Sequence, residues 1–585
     1  MKFLLSFGGN KSLLILFFAS FMILALDLLG IALLFPFLNI FVEPLSILKN
    51  QYINKVYQWI GFNNASDFVF AVGVILIVLY IFKLIIKTIL NKIRYRTMAD
   101  INYRLSSHLF KGLLEARYSL FTEQSVSEMI NIVNAQTVHS VICLESLVRV
   151  LNEITVLMVV FGFFFYINPG ITLLSILLFT VIGIALYFGL VKKIEEFGKI
   201  HTRSNVLVYK YGFAMANSIK DIKIMRLEKK YINKFSEIWQ EYSQNESRSK
   251  TAKSIPLDMS ETLIFCGMVS VCLYLLVTKQ DVKNIFPFLG VLAVTAMRVL
   301  PSFNRIISGF HEYRFYMPSL ILVNDLINKI KTNQQEIKHL RLPFLKNLEV
   351  QGLNFNYTDK KVLKSISLMI EKGDSIAFVG ASGAGKSTLL DVLVGLREAA
   401  TGTFYLDGVK FNPFNTDALR NYIGYVPQNV NLIDESLAFN ISFEVSFDSV
   451  RMQRAIGAAR LDGFVSGLSD GLHTILGESG VRVSGGQKQR IGIARALYRD
   501  PEILIFDEAT SALDTVTERE LMQEINQLSV DKTLLIVAHR LSTVEKCRII
   551  HLLDNGTIIA SGSHAELLKC SSEYQALYYK QGQSS

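Results

Sequence analysis

Six long apolar runs, near residues 12–36, 68–91, 147–167, 170–191, 259–279 and 285–308, leave the first half of this chain one way to fold. Each can cross a hydrocarbon core of about 30 Å, which takes about 20 residues of helix. In lipid, every backbone N–H and C=O must find its partner within the segment, so such runs become helices. A single run could be the core helix of a soluble domain. Six of them with few charges read as membrane spans. The chain is 51% hydrophobic with a mean hydropathy of +0.34, and the excess lies before residue 311. An even number of spans leaves both termini on one side.

The connecting segments give the orientation. Residues 92–146 carry Lys92, Arg94, Arg96, Arg104, Lys111 and Arg117, and residues 192–258 are more basic still. The segments of the opposite side hold only Lys49 and Lys55, then none, then Lys279 and Lys283. Basic loops stay in the cytoplasm. The net charge of +10 thus reflects topology and an anionic membrane surface, and no nucleic-acid module accompanies it. The first run is long for a cleavable signal, contains Asp27 and lacks a small-residue cleavage site, so it reads as a retained span. Five scattered cysteines form no C-x-x-C pair and suggest free thiols.

The second half carries chemistry. GASGAGKST, residues 380–388, follows an apolar run at 375–379 and precedes a helical stretch, the strand–loop–helix setting of a P-loop. Gly380, Gly383 and Gly385 let backbone N–H groups, with those of Ser382 and Thr388, converge on phosphates at a helix N-terminus. Lys386 adds a point charge and the Ser387 hydroxyl offers a ligand to Mg²⁺. Downstream stand YVPQN with Gln428, VSGGQ from Val483, ILIFDE ending in Asp507 and Glu508, SALD from Ser511 to Asp514, and a lone His539. Any one has a bland alternative: Asp-Glu after an apolar run is usually a strand end, and a lone His is usually structural.

Together, in this order, they resemble the ATP-binding cassette (ABC) ATPases over roughly residues 346–580. The resemblance implies bound ATP and Mg²⁺. It implies Tyr357 stacked on adenine, Gln428 and Asp507 with Ser387 at Mg²⁺, Glu508 as general base, and His539 at the γ-phosphate. Ser484, Gly485, Gly486, Gln487 and the Asp514 loop would complete the site of the opposite subunit. Phosphoryl transfer asks for positioning and charge neutralisation, which these residue types supply.

The whole chain resembles an ABC exporter half-transporter of the type IV transporter fold. The expected fold is a polytopic α-helical membrane domain of six spans fused to an α/β P-loop ATPase domain. Its expected limits are 1–310 for the membrane domain with long cytoplasmic helical extensions, 311–345 for an extension and linker, and 346–585 for the cassette. The extensions, at 92–146 and 192–258, should turn at short helices near 117–123 and 209–216. One P-loop and one SGGQ per chain imply a head-to-tail homodimer in the bacterial inner membrane, with the ATPase domain cytoplasmic.

For the cargo, two features stand out. Between spans one and two, Leu45, Leu48, Tyr52, Val56 and Trp59 form an apolar stripe at helical spacing, either an amphipathic helix resting on the outer leaflet or a dock for a polyisoprenoid chain. Lys83 with Lys87, and Arg298 with Arg305, are cations in or near spans, which either snorkel to headgroups or face the bundle interior and meet an anionic cargo. Arg149 and Glu153 are expected to pair on one helix. These features resemble the flippases for lipid-linked oligosaccharides of bacterial protein N-glycosylation, which implies a lipid-diphosphate-linked oligosaccharide as substrate. The alternatives are export of another amphiphile (a lipid A-type lipid, a drug or a peptide) and, in a different class, an ATP-gated regulator or channel.

Overall fold

A computed structural model describes residues 64–582, apart from 168, 278–281, 335–336, 341, 358–359, 478–479, 481–482, 509–531, 539–540 and 542–543, together with a few positions before residue 64. The chain divides into two compact units: residues 1–116 with 120–334, and residues 117–119 with 335–585.

The first unit is helical. Its long helices are α1 (Ala65–Leu114), α2 (Thr137–Ile167), α3 (Pro169–Asn217), α4 (Glu228–Val277) and α5 (Val282–Thr332). They carry the second to sixth expected spans; the first, at 12–36, falls mostly outside the described residues. A helix of 50 residues such as α1 is about 75 Å long, more than twice the hydrocarbon thickness, so much of α1, α3, α4 and α5 extends beyond the membrane. Pro169 opens α3, where its missing N–H is no loss and its fixed φ suits the first turn.

The first turning point comes where expected, with a short helix Tyr118–Glu123. The second does not. Helix α3 runs through 209–216 and the short helix is Ile219–Ile224. Residues 209–216 contain nothing that stops a helix; the break comes at Ser218, and Arg226 at φ 53° reverses the chain.

Helices of this unit approach closely where side chains are absent. A Cβ at Gly198 of α3 would lie 2.2 Å from the Phe315 carbonyl oxygen of α5. The core of the cytoplasmic part is fully buried at Leu105, Leu109 and Val323, each contributing about 2 kcal/mol by apolar burial.

The second unit holds two sheets. Strands β1 (Asn347–Tyr357), β2 (Lys360–Glu371), β4 (Thr401–Leu406) and β5 (Val409–Phe411) form an antiparallel sheet in the order β2-β1-β4-β5. Strands β3 (Ser375–Val379), β6 (Ile423–Val426), β7 (Ile503–Asp507), β8 (Thr533–Val537), β9 (Ile549–Asp554) and β10 (Thr557–Gly562) form the other, ordered β10-β9-β3-β8-β7-β6. Pairing is parallel from β9 to β6, and β10 adds antiparallel at the edge. A parallel strand buried on both faces is a near-continuous apolar run, and every residue of β8 is buried, with the hydroxyl of Thr533 accepting from the Gly373 N–H at 2.9 Å.

Candidate active site

The C-terminal ends of β3, β6 and β7, where an open α/β sheet binds ligands, gather Lys386, Ser387, Gln428, Asp507 and Glu508 from among the sequence-predicted residues. The loop 380–385 leads from β3 into helix α6 (Lys386–Leu393). Its path requires glycine: Gly380 has φ 152° and a Cβ there would lie 2.1 Å from the Leu553 carbonyl oxygen. Gly385 has φ 102° and caps the helix. Lys386 is buried, and its Nζ donates to the carbonyls of Gly380 at 2.9 Å and Ala381 at 3.1 Å, holding the ammonium over the loop. Burial lowers its pKa, and the carboxylates of Glu508 and Asp507 act in the opposite sense. An ammonium in so dry a place calls for an anion.

Asp507, the last residue of β7, accepts from two hydroxyls. Ser387 Oγ donates to its Oδ1 at 3.2 Å, and Tyr425 Oη donates to its Oδ2 at 2.9 Å. Glu508 follows in the left-handed region at φ 51°, with its N–H donated to the Val537 carbonyl at 2.9 Å. Gln428 Nε2 donates to Glu508 Oε2 at 2.7 Å. Gln428 and Glu508, 80 residues apart in sequence, thus stand side by side. A hydroxyl and a carboxylate converging at a helix N-terminus are hard oxygen donors that fit Mg²⁺, which takes one or two protein oxygens and completes its shell with phosphates and water.

Tyr357, at the end of β1, places its Oη 3.3 Å from Thr388 Oγ1. The Arg397 guanidinium lies 4.7 Å from the Tyr357 ring centroid and donates to Asp391 Oδ2 at 2.9 Å. Sequence reasoning missed Arg397 and Tyr425. Tyr425 stands inside the YVPQN segment, where its alternation with buried Val426 was the available signal. Arg397 carries no local signal at all.

Ser484 caps helix α7 (Gly485–Tyr498): the Gln487 N–H donates to Ser484 Oγ at 3.3 Å, and the Ser484 N–H donates to Gln487 Oε1 at 2.9 Å. This box leaves Ser484 and Gly485 exposed at a helix N-terminus, a geometry ready for an anion. His539 and Asp514 lie outside the described residues.

The expected cargo cations are less simply arranged. Lys83 and Lys87 are half-buried on α1, with the Lys83 Nζ 5.1 Å from the Tyr80 ring. Arg305 pairs with Glu153, donating from Nη2 to Oε2 at 3.2 Å. The expected Arg149–Glu153 pair is therefore replaced: Arg149 meets Glu312 at 3.3 Å and Glu145 at 3.7 Å. Because α2 packs along α5, Glu312 and Arg305 of α5 take up Arg149 and Glu153, and Arg149 keeps a local i,i+4 contact only with Glu145 on its other side. Arg298 lies on α5, with its side chain outside the described residues, as are Leu48, Tyr52 and Val56. Among the described residues Cys143, Cys266, Cys547 and Cys570 are free thiols.

Comparison with known proteins bears on the family and the fold. Residues 29–299 match the ABC transporter transmembrane region and residues 363–511 match the ABC transporter family. The chain is 30% identical over 508 residues to the heterocyst differentiation ATP-binding protein HepA of Nostoc sp., covering 84% of this chain and 82% of that protein. It is 30% identical over 482 residues, 81% of each chain, to the ATP-dependent lipid A-core flippase of Polaromonas sp.. The solved structure of a bacterial Atm1-family ABC exporter with ATP bound is similar in fold, with a TM-score of 0.79 at 21% identity over 98% of this chain and 99% of that one.

Proposed function

This chain belongs to the ABC transporters, an exporter half-transporter whose ATPase domain hydrolyses ATP to drive transport, and from that premise we propose that it flips a lipid A-type amphiphile across the bacterial inner membrane as a homodimer. The observation that carries the cargo class is the similarity to a lipid A-core flippase over 81% of the chain, a length that includes the membrane domain. A phosphorylated saccharide on acyl chains also suits half-buried cations such as Lys83 and Lys87 in a membrane helix.

In this reading the N–H groups from Ser382 to Thr388 and the Lys386 ammonium hold the ATP phosphates, and Tyr357 stacks on adenine. Ser387, Asp507 and Gln428 hold Mg²⁺, which supplies charge neutralisation at the phosphates. Glu508, oriented by Gln428, accepts a proton from the attacking water, and His539 contacts the γ-phosphate. Ser484 to Gln487 and Asp514 of each protomer serve the ATP held by the other, since the Ser484 box faces outward from its own unit. Closing two cassettes on two ATP molecules favours one packing of the spans and hydrolysis returns the other.

A second reading, a lipid-diphosphate-linked oligosaccharide as cargo for protein N-glycosylation, is favoured by one observation, the apolar stripe through Leu48, Tyr52 and Val56. Reconstitution into vesicles containing a lipid A-type lipid, a polyprenyl-diphosphate oligosaccharide or a plain labelled phospholipid separates the two. ATP-dependent change in sidedness of the first alone supports the proposal. Movement of the second alone transfers the function to N-glycosylation, and movement of neither leaves a drug or peptide exporter or a gated regulator.

A further inference from the structure

Asp507 and Glu508 are adjacent carboxylates, the first held from strand β6 and the second from the loop that follows it. Strand β6 pairs Tyr425 with Ile505 in parallel register, so Asp507, two residues further along β7, lies on the same face. The diagonal neighbour at about 7–8 Å is within reach of an aromatic side chain. The Tyr425 hydroxyl spans that gap and donates to Asp507 Oδ2 at 2.9 Å. Three residues on, Gln428 holds Glu508.

The partners of Asp507 are not equivalent. Ser387, at the start of α6, must turn its hydroxyl to a metal ion to act as a ligand. Tyr425 sits on a strand, with its ring packed among the apolar residues under the nucleotide loop. A phenol hydroxyl carries one proton to donate. Its single O–H is spent on Oδ2, which leaves Oδ1 directed at Ser387.

We propose that Tyr425 is a positioning residue for the metal site: by donating to Asp507 Oδ2 it fixes the carboxylate so that Oδ1 and Ser387 Oγ present one divalent-cation site beside the phosphates. This rests on the reading of Ser387 and Asp507 as the Mg²⁺ ligands. A partner of this kind is typically worth about 10–100-fold in metal affinity.

The test is Tyr425→Phe in the full-length homodimer, since the ring and its packing are kept. ATP binding is titrated in EDTA and again at graded Mg²⁺, and Mn²⁺ binding in the presence of ATP is followed by electron paramagnetic resonance. The expected result is unchanged ATP affinity in EDTA, an unchanged melting temperature, and about a 10-fold rise in the Mg²⁺ and Mn²⁺ concentrations at half-saturation. A metal response equal to that of the wild type would overturn the role of Tyr425 while leaving the metal site standing. An equal loss of affinity with and without metal would reduce Tyr425 to general packing. A wild type whose ATP binding ignores Mg²⁺ would overturn the metal-site reading itself.

Discussion

In the membrane unit Arg149 of α2, Lys253 of α4 and Glu312 of α5 satisfy one another across three helices, with Lys253 2.9 Å and Arg149 3.3 Å from the Glu312 carboxylate. In the ATPase unit Lys386 leans on two backbone carbonyls, and Glu508 faces the neutral amide of Gln428. The first arrangement consumes charge to build the fold, since a charge left alone in such surroundings is costly. The second keeps charge available for phosphates and water. The Glu312 cluster is therefore structural, whereas Lys386 and Glu508 are set apart from the structural ion pairs of their own unit, such as Arg548 with Asp374.

The largest expected effect tests the second half of that contrast. Glu508→Gln should keep ATP binding and lower turnover about 10²–10⁴-fold, because the amide cannot take a proton from water. Activity above about a tenth of wild type in a steady-state phosphate-release assay would contradict the reserved role of Glu508. Next comes the division of labour between protomers. Mixing Lys386→Ala chains with Ser484→Arg chains places both lesions in one site of each heterodimer and leaves the other intact. ATPase should rise several-fold above either homodimer, roughly as expected when one site regains its machinery. Confirmed heterodimers with no activity above the homodimers would count against a site shared across subunits.

Buried histidines sharpen the comparison in both units. Burial lowers the His551 pKa from 6.5 to about 4 in β9, where the ring stacks on Phe378 and its Nδ1 is 2.7 Å from Ser561 Oγ. His139 and His311, outside the expected spans of the first unit, are likewise lowered to about 4, chiefly by burial. A base whose folded pKa lies below its unfolded value is favoured neutral. Its stabilising contribution is present above pH 6.5 and is lost as the pH falls towards 4. For His551 the loss is at most about 3 kcal/mol. The melting temperature of the detergent-solubilised protein should fall through this window, and His551→Phe should flatten part of the fall. A variant with the wild-type slope would assign the effect to the first unit.

The smallest effect bears on cargo. Arg305→Ala leaves Glu153 without its partner and should destabilise the protein by about 1–2 kcal/mol, allowing for the partial exposure of Arg305. The exchanged pair, Arg305→Glu with Glu153→Arg, should recover the melting temperature. If lipid flipping also recovers, Arg305 is a structural cation. If the fold recovers and flipping does not, the guanidinium is needed at its own position for an anionic headgroup.

Much of the molecule follows from the sequence because its constraints are local. Apolar runs of about 20 residues must be helices in lipid. A P-loop must bend where Gly380 and Gly385 permit it, and a short, partly β-branched apolar run such as 534–537 suits a strand covered on both faces. The order of motifs along the second half nominated candidate ATPase residues one by one, because each role demands a particular functional group. Of these, the fold brings Lys386, Ser387, Gln428, Asp507 and Glu508 together. What the sequence left open depends on side chains far apart in the chain. The i,i+4 spacing of Arg149 and Glu153 suggested a pair, but helix packing placed Glu312 and Arg305 nearer. The second cytoplasmic turn moved to Ser218 because Gly212, which costs about 1 kcal/mol, is the one weak breaker in 209–216 and does not end a helix by itself. Tyr425 and Arg397 acquired their places only when β6 lay beside β7 and the chain after α6 folded back on Tyr357. Electrostatic and hydrogen-bond energies depend on separation in space within a few ångströms, and sequence spacing fixes that separation only along a single helix or strand. Between elements, it is the tertiary packing that decides.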